Sequence, residues 1–333
     1  MDNKITKSRL SHFFSYEWIK IIIFSVVVVL LFELLFAVTG VKLSDGQMFK
    51  VIYDQGINSS FENNLIEVTC LDSDGKIIFS YETQKIDAEV MSDGHDNAID
   101  VRYQTRDGDV VITENSLTEN VTTGKKTTRA KELIDYFEVW GFEDAVAQGK
   151  TYLKRFLKNG VTGEDAELNF SNLDPNKIES YFISTHERDN RFRKQADIKT
   201  GVQLELKRIE NVCKDVSDMQ YLLQNHADIF FKYTKYEQVF SGMTESDRNY
   251  NEYKDKYQSQ TQKSYAIFTD KLTKGKYKVA DFFTVKTADD KIETKDVVVF
   301  AFDFSKEQPD LQFESLRFII SVVRNFSEFL NDR

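Results

Sequence analysis

Histidines, cysteines and clustered carboxylates are the residues of this chain that could do chemistry, and their spacing asks for little of it. His95, His186 and His226 stand alone, with no Cys or His at ligand spacing, so the sequence encodes no local zinc-type site. Gly149-Lys150-Thr151 has the tail of a phosphate loop, but Asp144 stands where such a loop needs its first Gly, and the surroundings read as mid-helix. Asp72-x-Asp74-Gly75 opens like a calcium loop and then lacks the further ligands and distal Glu, which leaves a turn. Carboxylate pairs such as Asp215/Asp218 arise by number alone in a chain with 54 acidic residues. Gly-x-Ser-x-Gly, His-Glu-x-x-His and Gly-x-Gly-x-x-Gly are all absent. The expectation is a protein that is not an enzyme and holds neither metal nor cofactor. Cys70 and Cys213 are the only cysteines, either a disulfide in an oxidising exterior or two buried free thiols.

The element that places everything else is the run Ile19 to Val38, twenty residues without Gly or Pro and interrupted only by Lys20, Ser25 and Glu33. Twenty helical residues span about 30 Å, the hydrocarbon thickness of a bilayer. Residues 19–39 therefore read as a transmembrane signal anchor, with the lipid bilayer as its partner through 19–38. A cleaved leader fits less well, because its apolar part runs only ~7–15 residues. Lys4, Lys7, Arg9 and Lys20 precede or open the run, which puts residues 1–18 in the cytoplasm and 40–333 outside the cell membrane. Glu33 lies outward of the midpoint, where an ionisable group either reaches the interface or meets another membrane subunit.

Four Lys/Arg against three Asp/Glu before Gly40 leave −11 of the total −10 to the remainder. An acidic exterior body argues against nucleic acid and against an anionic membrane surface. About 290 residues suffice for a large core, in one domain or two lobes. Only two Pro and fourteen Gly argue against a stalk or a disordered chain.

In order, Gln47 to Tyr53 reads as a strand, and Leu65 to Leu71 with Lys76 to Thr83 as a hairpin across Asp74-Gly75. Ile86 to Arg106 is polar and reads as partly helical. Gly108 to Thr113 has the look of a buried parallel strand, and Leu117 to Thr128 of a loop. Leu133, Phe137 and Trp140 fall at helical spacing up to Gly141. Further helices follow around Ala145 to Leu157, Ile178 to Thr185 and Leu206 to Leu223. Ile229 to Phe240 is ambiguous, and Val279 to Val285 and Val297 to Phe304 read as strands. A last amphipathic helix carries Leu316, Ile319, Ile320 and Val323. Strands at both ends with helices between make a mixed α/β body.

Ser11-His-Phe-Phe-Ser-Tyr-Glu-Trp-Ile-Lys20, Phe79-Ser-Tyr-Glu-Thr83, Gly108-Asp-Val-Val-Ile112, Gly275-Lys-Tyr-Lys-Val279 and the closing VVVFAFDF…PDLQFESLRFIISVVRNF together carry a likeness. The chain resembles membrane-anchored proteins of clostridia-type bacteria related to extracellular solute-binding proteins, which accompany sugar ABC transporters. The resemblance implies two α/β lobes that close on a small solute, with ABC-transporter membrane subunits nearby. It carries over no diagnostic ligand residue. Because ligands sit beyond the carboxyl ends of parallel strands, and sugars need aromatic platforms and planar polar groups, the candidates are Tyr81, Glu82, Thr113 and Glu114, followed by Trp140. The competing expectation is a non-enzymatic, membrane-tethered interaction or scaffold module.

Overall fold

Runs such as VVVFAFDF and GDVVIT offer apolar side chains to both sides of an extended backbone, so they satisfy themselves only inside a sheet covered on both faces. The computed structural model describes residues 18–20, 22–32, 47–54, 57–59, 81–91, 96–119, 126–275, 277–279, 283–286, 292–294 and 296–331, with the single residues 11, 70, 77 and 79. Two units separate, Met1–Ser44 and Asp45–Arg333.

In the first unit, 18–20 and 22–32 are helical, and nearly every large apolar side chain on them is exposed, Phe24 at 70 % and Ile23 at 58 %. Among the described residues no helix is long and apolar enough to cross a membrane. The expected span runs on to Val38, and Glu33 with the rest of that stretch lies outside the described residues.

The second unit is a mixed α/β body. Its central sheet contains β1 (Met48–Tyr53), β2 (Lys85–Val90), β3 (Val110–Glu114), β4 (Phe230–Tyr233), β5 (Lys263–Phe268) and β6 (Val297–Ala301), in the order β2-β1-β3-β6-β5-β4. β1 runs parallel to β2 and to β3, with Met48 opposite Lys85 and Tyr53 opposite Ile112. β6 returns antiparallel between β3 and β5, and β4 closes the far edge antiparallel to β5. Alternation sorts the side chains by face. Val51, Tyr53, Val110, Ile112, Val297 and Val299 enter one core, while Ile52, Val111, Val298 and Phe300 enter the other.

The second face is covered by α1 (Asp96–Gln104) and α2 (Arg129–Tyr136), through Ile99, Leu133 and Ile134. The larger core gathers α3 (Phe142–Lys154), α4 (Pro175–Thr185), the 31-residue α5 (Gln195–Asn225) and α6 (Gln312–Phe326). Gly149 allows α3 to lie against α5: a Cβ there would stand 2.3 Å from Val216 Cγ2. That packing accounts for Gly149-Lys150 without any phosphate loop. Because these helices share one continuous core with the sheet, 45–333 is one compact unit where the resemblance implied two lobes.

Several elements differ from the sequence reading for identifiable reasons. Lys85–Val90 is a strand, not part of a helix; Ile86, Ala88 and Val90 alternate with Asp87 and Glu89 on a half-buried edge, the charged pattern that edge strands favour. The α2 helix stops at Tyr136, because Val139 bridges Phe302 and the Trp140 N–H donates to the Ala301 carbonyl at 2.9 Å, so pairing to β6 overrides helical spacing. Leu117–Glu119 and Lys126–Thr128 pair as two short strands within the expected loop, and Thr128 then caps α2. The ambiguous aromatic stretch divides into β4 and a short helix, Glu237–Ser241. Most of the expected hairpin at 65–83 lies outside the described residues; Cys70 is helical, and Tyr81 and Glu82 form a turn.

Candidate functional site

The carboxyl ends of β1 and β3 meet where the chain order reverses around β1, the place where open α/β sheets hold ligands. Asp54 follows β1 directly, and its backbone N–H donates to the Ile112 carbonyl at 2.9 Å. Its carboxylate accepts from Thr113 Oγ1 at 2.8 Å and from Arg129 Nε at 3.0 Å, all but sealed from solvent. Thr113 is fully buried, so it anchors Asp54 rather than facing a solute. Glu114 continues β3 opposite Val297. Sequence reasoning passed over Asp54 and Arg129; the available signal was an acid ending the apolar strand FKVIY.

Tyr81 and Glu82 precede β2 and therefore lie at the opposite end of the same parallel strands, one strand length (about 17 Å) from Thr113. The Tyr81 hydroxyl donates to Glu205 Oε2 at 3.1 Å and lies 3.4 Å from His186 Nε2. Glu82 Oε1 is 3.3 Å from the same nitrogen, and Arg191 Nη2 donates to Glu82 Oε2 at 2.9 Å. The His186 ring stacks on Phe182 with centroids 4.4 Å apart. Behind them Arg208 binds Glu205 at 2.7 and 3.0 Å and also donates to the Tyr152 hydroxyl. Burial pushes the Tyr81 hydroxyl far above its ordinary range, and the charges of Glu205 and Glu82 add to that. The hydroxyl is therefore a proton donor at every physiological pH.

Beside Tyr81 opens a cavity of about 620 Å³, walled by Ile77, Phe79 and Thr83 on one side and by the α5 and α6 side chains on the other. Its volume falls within the range of small-molecule sites. Arg317 reaches in from α6, with Nη1 donating to Asp215 at 2.8 and 3.0 Å, and Arg324 Nη2 donates to Asp218 at 2.6 Å. Asp215 and Asp218 are buried, so each holds a guanidinium at a fixed place. Burial pushes the Asp215 carboxyl up, while Arg317 and Arg324 pull it down. The cavity thus offers an aromatic hydroxyl, an amide at Asn211 and three planar cations, Arg208, Arg317 and Arg324.

Trp140 takes no part in either place. It is fully buried in the core, its Nε1 donates to Gln148 Oε1 at 3.1 Å, and its ring lies 6.1 Å from Phe313. Cys70 and Cys213 are both free and buried, which decides the alternative the spacing left open. Cys213 Sγ donates to the Glu167 carbonyl at 3.6 Å, and burial pushes its thiol up to about 12, so it stays unreactive. Among the described residues no group of three or more His, Cys, Asp or Glu could hold a metal ion.

A second ionic cluster joins β1, β2 and α1 beside the start of β3. Lys50 Nζ is 2.8 Å from Asp107 and 3.7 Å from Glu89, and Arg102 joins the same two carboxylates. Asp109 Oδ2 accepts from the Lys50 backbone N–H at 2.7 Å. Burial pushes the Asp109 carboxyl up to about 7 from an ordinary 3.8; Glu314 and Asp107 add to the rise, and Lys50 opposes it. Between those values the folded state holds a proton that the unfolded state has lost. This acid therefore makes stability fall as pH rises through the window, by up to about 1.4 kcal/mol per pH unit. Asp109→Asn should flatten that slope. Urea unfolding at several pH values between ~4 and ~7 checks it, and equal slopes in both proteins would contradict it.

Compared with known proteins, the chain matches no family model, no curated protein and no solved structure.

Proposed function

We propose that this chain is a single-pass, membrane-tethered protein whose body, held outside the cell membrane, binds a small solute without covalent chemistry and serves a transporter as an accessory. The tether rests on the twenty-residue apolar run and on the positive residues that precede it. The exposed apolar ring of the helix at 22–32 supports it, because side chains so placed need lipid or protein around them. The link to ABC transporters rests on the sequence resemblance alone.

The observation that carries solute binding is the cavity of about 620 Å³, where Tyr81, Asn211, Arg317 and Arg324 converge. Binding there requires no closure of lobes, which suits a body with a single core. A thermal-shift panel on the full-length protein in detergent tests the reading, with saccharides, peptides, organic acids and phosphorylated solutes at millimolar concentration. A solute that binds only the native state raises the melting temperature by several degrees. Melting temperatures unmoved by every class would end the solute-binding reading. The continuous core favours the second reading, a tethered interaction module, and that reading expects no shift together with partner capture by crosslinking in intact cells.

A further inference from the structure

We infer that the solute taken by this cavity is a small multiply charged oxyanion, such as a phosphate monoester or a polycarboxylate, and not a neutral sugar. The inference rests on the binding role just proposed and names the ligand class for the same site. Charge is the first ground. Lys207, Arg208, Lys214, Arg317 and Arg324 line the cavity against Glu210 as its acid, on a body whose net charge is strongly negative. Neighbouring acids balance most of these cations: Glu205 holds Arg208, Glu210 holds Lys207 at 2.8 Å, and Asp215 and Asp218 hold the two α6 arginines. Lys214 is the cation left over; it is exposed on α5 and makes no ion pair among the described residues.

Hydrogen-bonding capacity is the second and stronger ground. Arg317 makes its bonds through Nη1, and its Nε is buried without a partner. Arg324 bonds through Nη2, which leaves its Nε and other Nη unused among the described residues. A buried guanidinium N–H left unpaired is costly, and structures fill such positions almost without exception. The lining therefore has a surplus of planar N–H donors and few acceptors to match them. That is the complement of a carboxylate or phosphate group, which arginine binds with two parallel bonds. A sugar hydroxyl both donates and accepts, so this lining would leave its protons unmatched.

Asp215 and Asp218 act here as positioning residues: each accepts from a guanidinium that lines the cavity and so holds it in place. Lys214 contributes the net charge and a movable ammonium.

Calorimetric titration of the full-length protein in detergent tests this, using glucose 6-phosphate, inorganic phosphate and glucose as probes, each at low and at physiological salt. Glucose 6-phosphate should bind and weaken as salt rises, and glucose should not compete. Lys214→Gln should weaken it about tenfold, as loss of a charge-assisted hydrogen bond does. Lys199→Gln, an exposed lysine elsewhere on α5, should leave it unchanged. Arg317→Lys keeps a cation beside Asp215 and removes the planar guanidinium fork, so it should weaken phosphate without unfolding the body. Glucose binding as tightly as its phosphate, unaffected by Lys214→Gln, would overturn the oxyanion while leaving solute binding intact. Phosphate binding that neither variant alters would mean surface counter-ions only, and would also overturn it. No heat with any of these probes would overturn it too; whether binding itself then survives is read from the broader thermal panel.

Discussion

Arg208→Leu should lower the unfolding free energy by about 3–5 kcal/mol, the cost of leaving a buried charge without its partner. Glu205 is 2 % exposed and takes two hydrogen bonds from Arg208, so truncation strands a carboxylate in the core. The Tyr152 hydroxyl loses its donor at the same time. Burial alone would lower the Arg208 pKa; Tyr152, Glu205 and Asp310 reverse this and hold the cation firmly charged. Glu205→Gln added to Arg208→Leu should restore a large part of the loss, because the amide still accepts from Tyr81 and no longer carries charge. Guanidinium-chloride unfolding of both variants measures this. A single variant within about 1 kcal/mol of the parent would show that water reaches Glu205 and that the network is not closed.

Trp140→Ala should cost about 3–5 kcal/mol, the range for deleting a large buried aromatic. The ring is fully enclosed beside Phe313, and its removal also leaves Gln148 Oε1 without the indole donor. Trp140→Phe should cost less, since it refills most of the volume. The same pair separates a core residue from a ligand platform. A variant that unfolds easily but binds solute normally below its melting point supports the core assignment. Normal stability with lost binding would return Trp140 to the site.

The sheet was the most legible part of this protein. Val110–Glu114 and Val297–Ala301 carry apolar residues on both faces, and only a covered central strand fits that pattern. The long stripe on α5 and the apolar face of α6 were equally plain. Lys85–Val90 was not, because an edge strand in which Asp87 and Glu89 alternate with the apolar residues looks like any polar segment. Trp140 misled because helical spacing from Leu133 continues by coincidence into residues that pair with β6 instead. The number of lobes depends on whether α3, α5 and α6 pack onto the sheet or onto one another, and no local pattern encodes that choice.

For the site, Tyr81 and Glu82 were found through residue type, whereas Thr113 and Glu114 followed from the rule about strand ends. The structure puts these pairs at opposite ends of β1, and of the four only Tyr81 lines the cavity. Arg317 and Arg324 were invisible as site residues. They stand on the polar side of an amphipathic helix, where a solvated face is the ordinary reading, and only the buried Asp215 and Asp218 across from them show otherwise.

The central claim is that a solute occupies the cavity between the Tyr81 turn, α5 and α6. Hydrogen exchange on the full-length protein, with and without a solute that raises its melting temperature, tests it most directly. Added protection should concentrate at 81–83, 204–214 and 317–324. Protection centred instead on Asp54, Thr113 and Arg129, or spread evenly over the body, would contradict it.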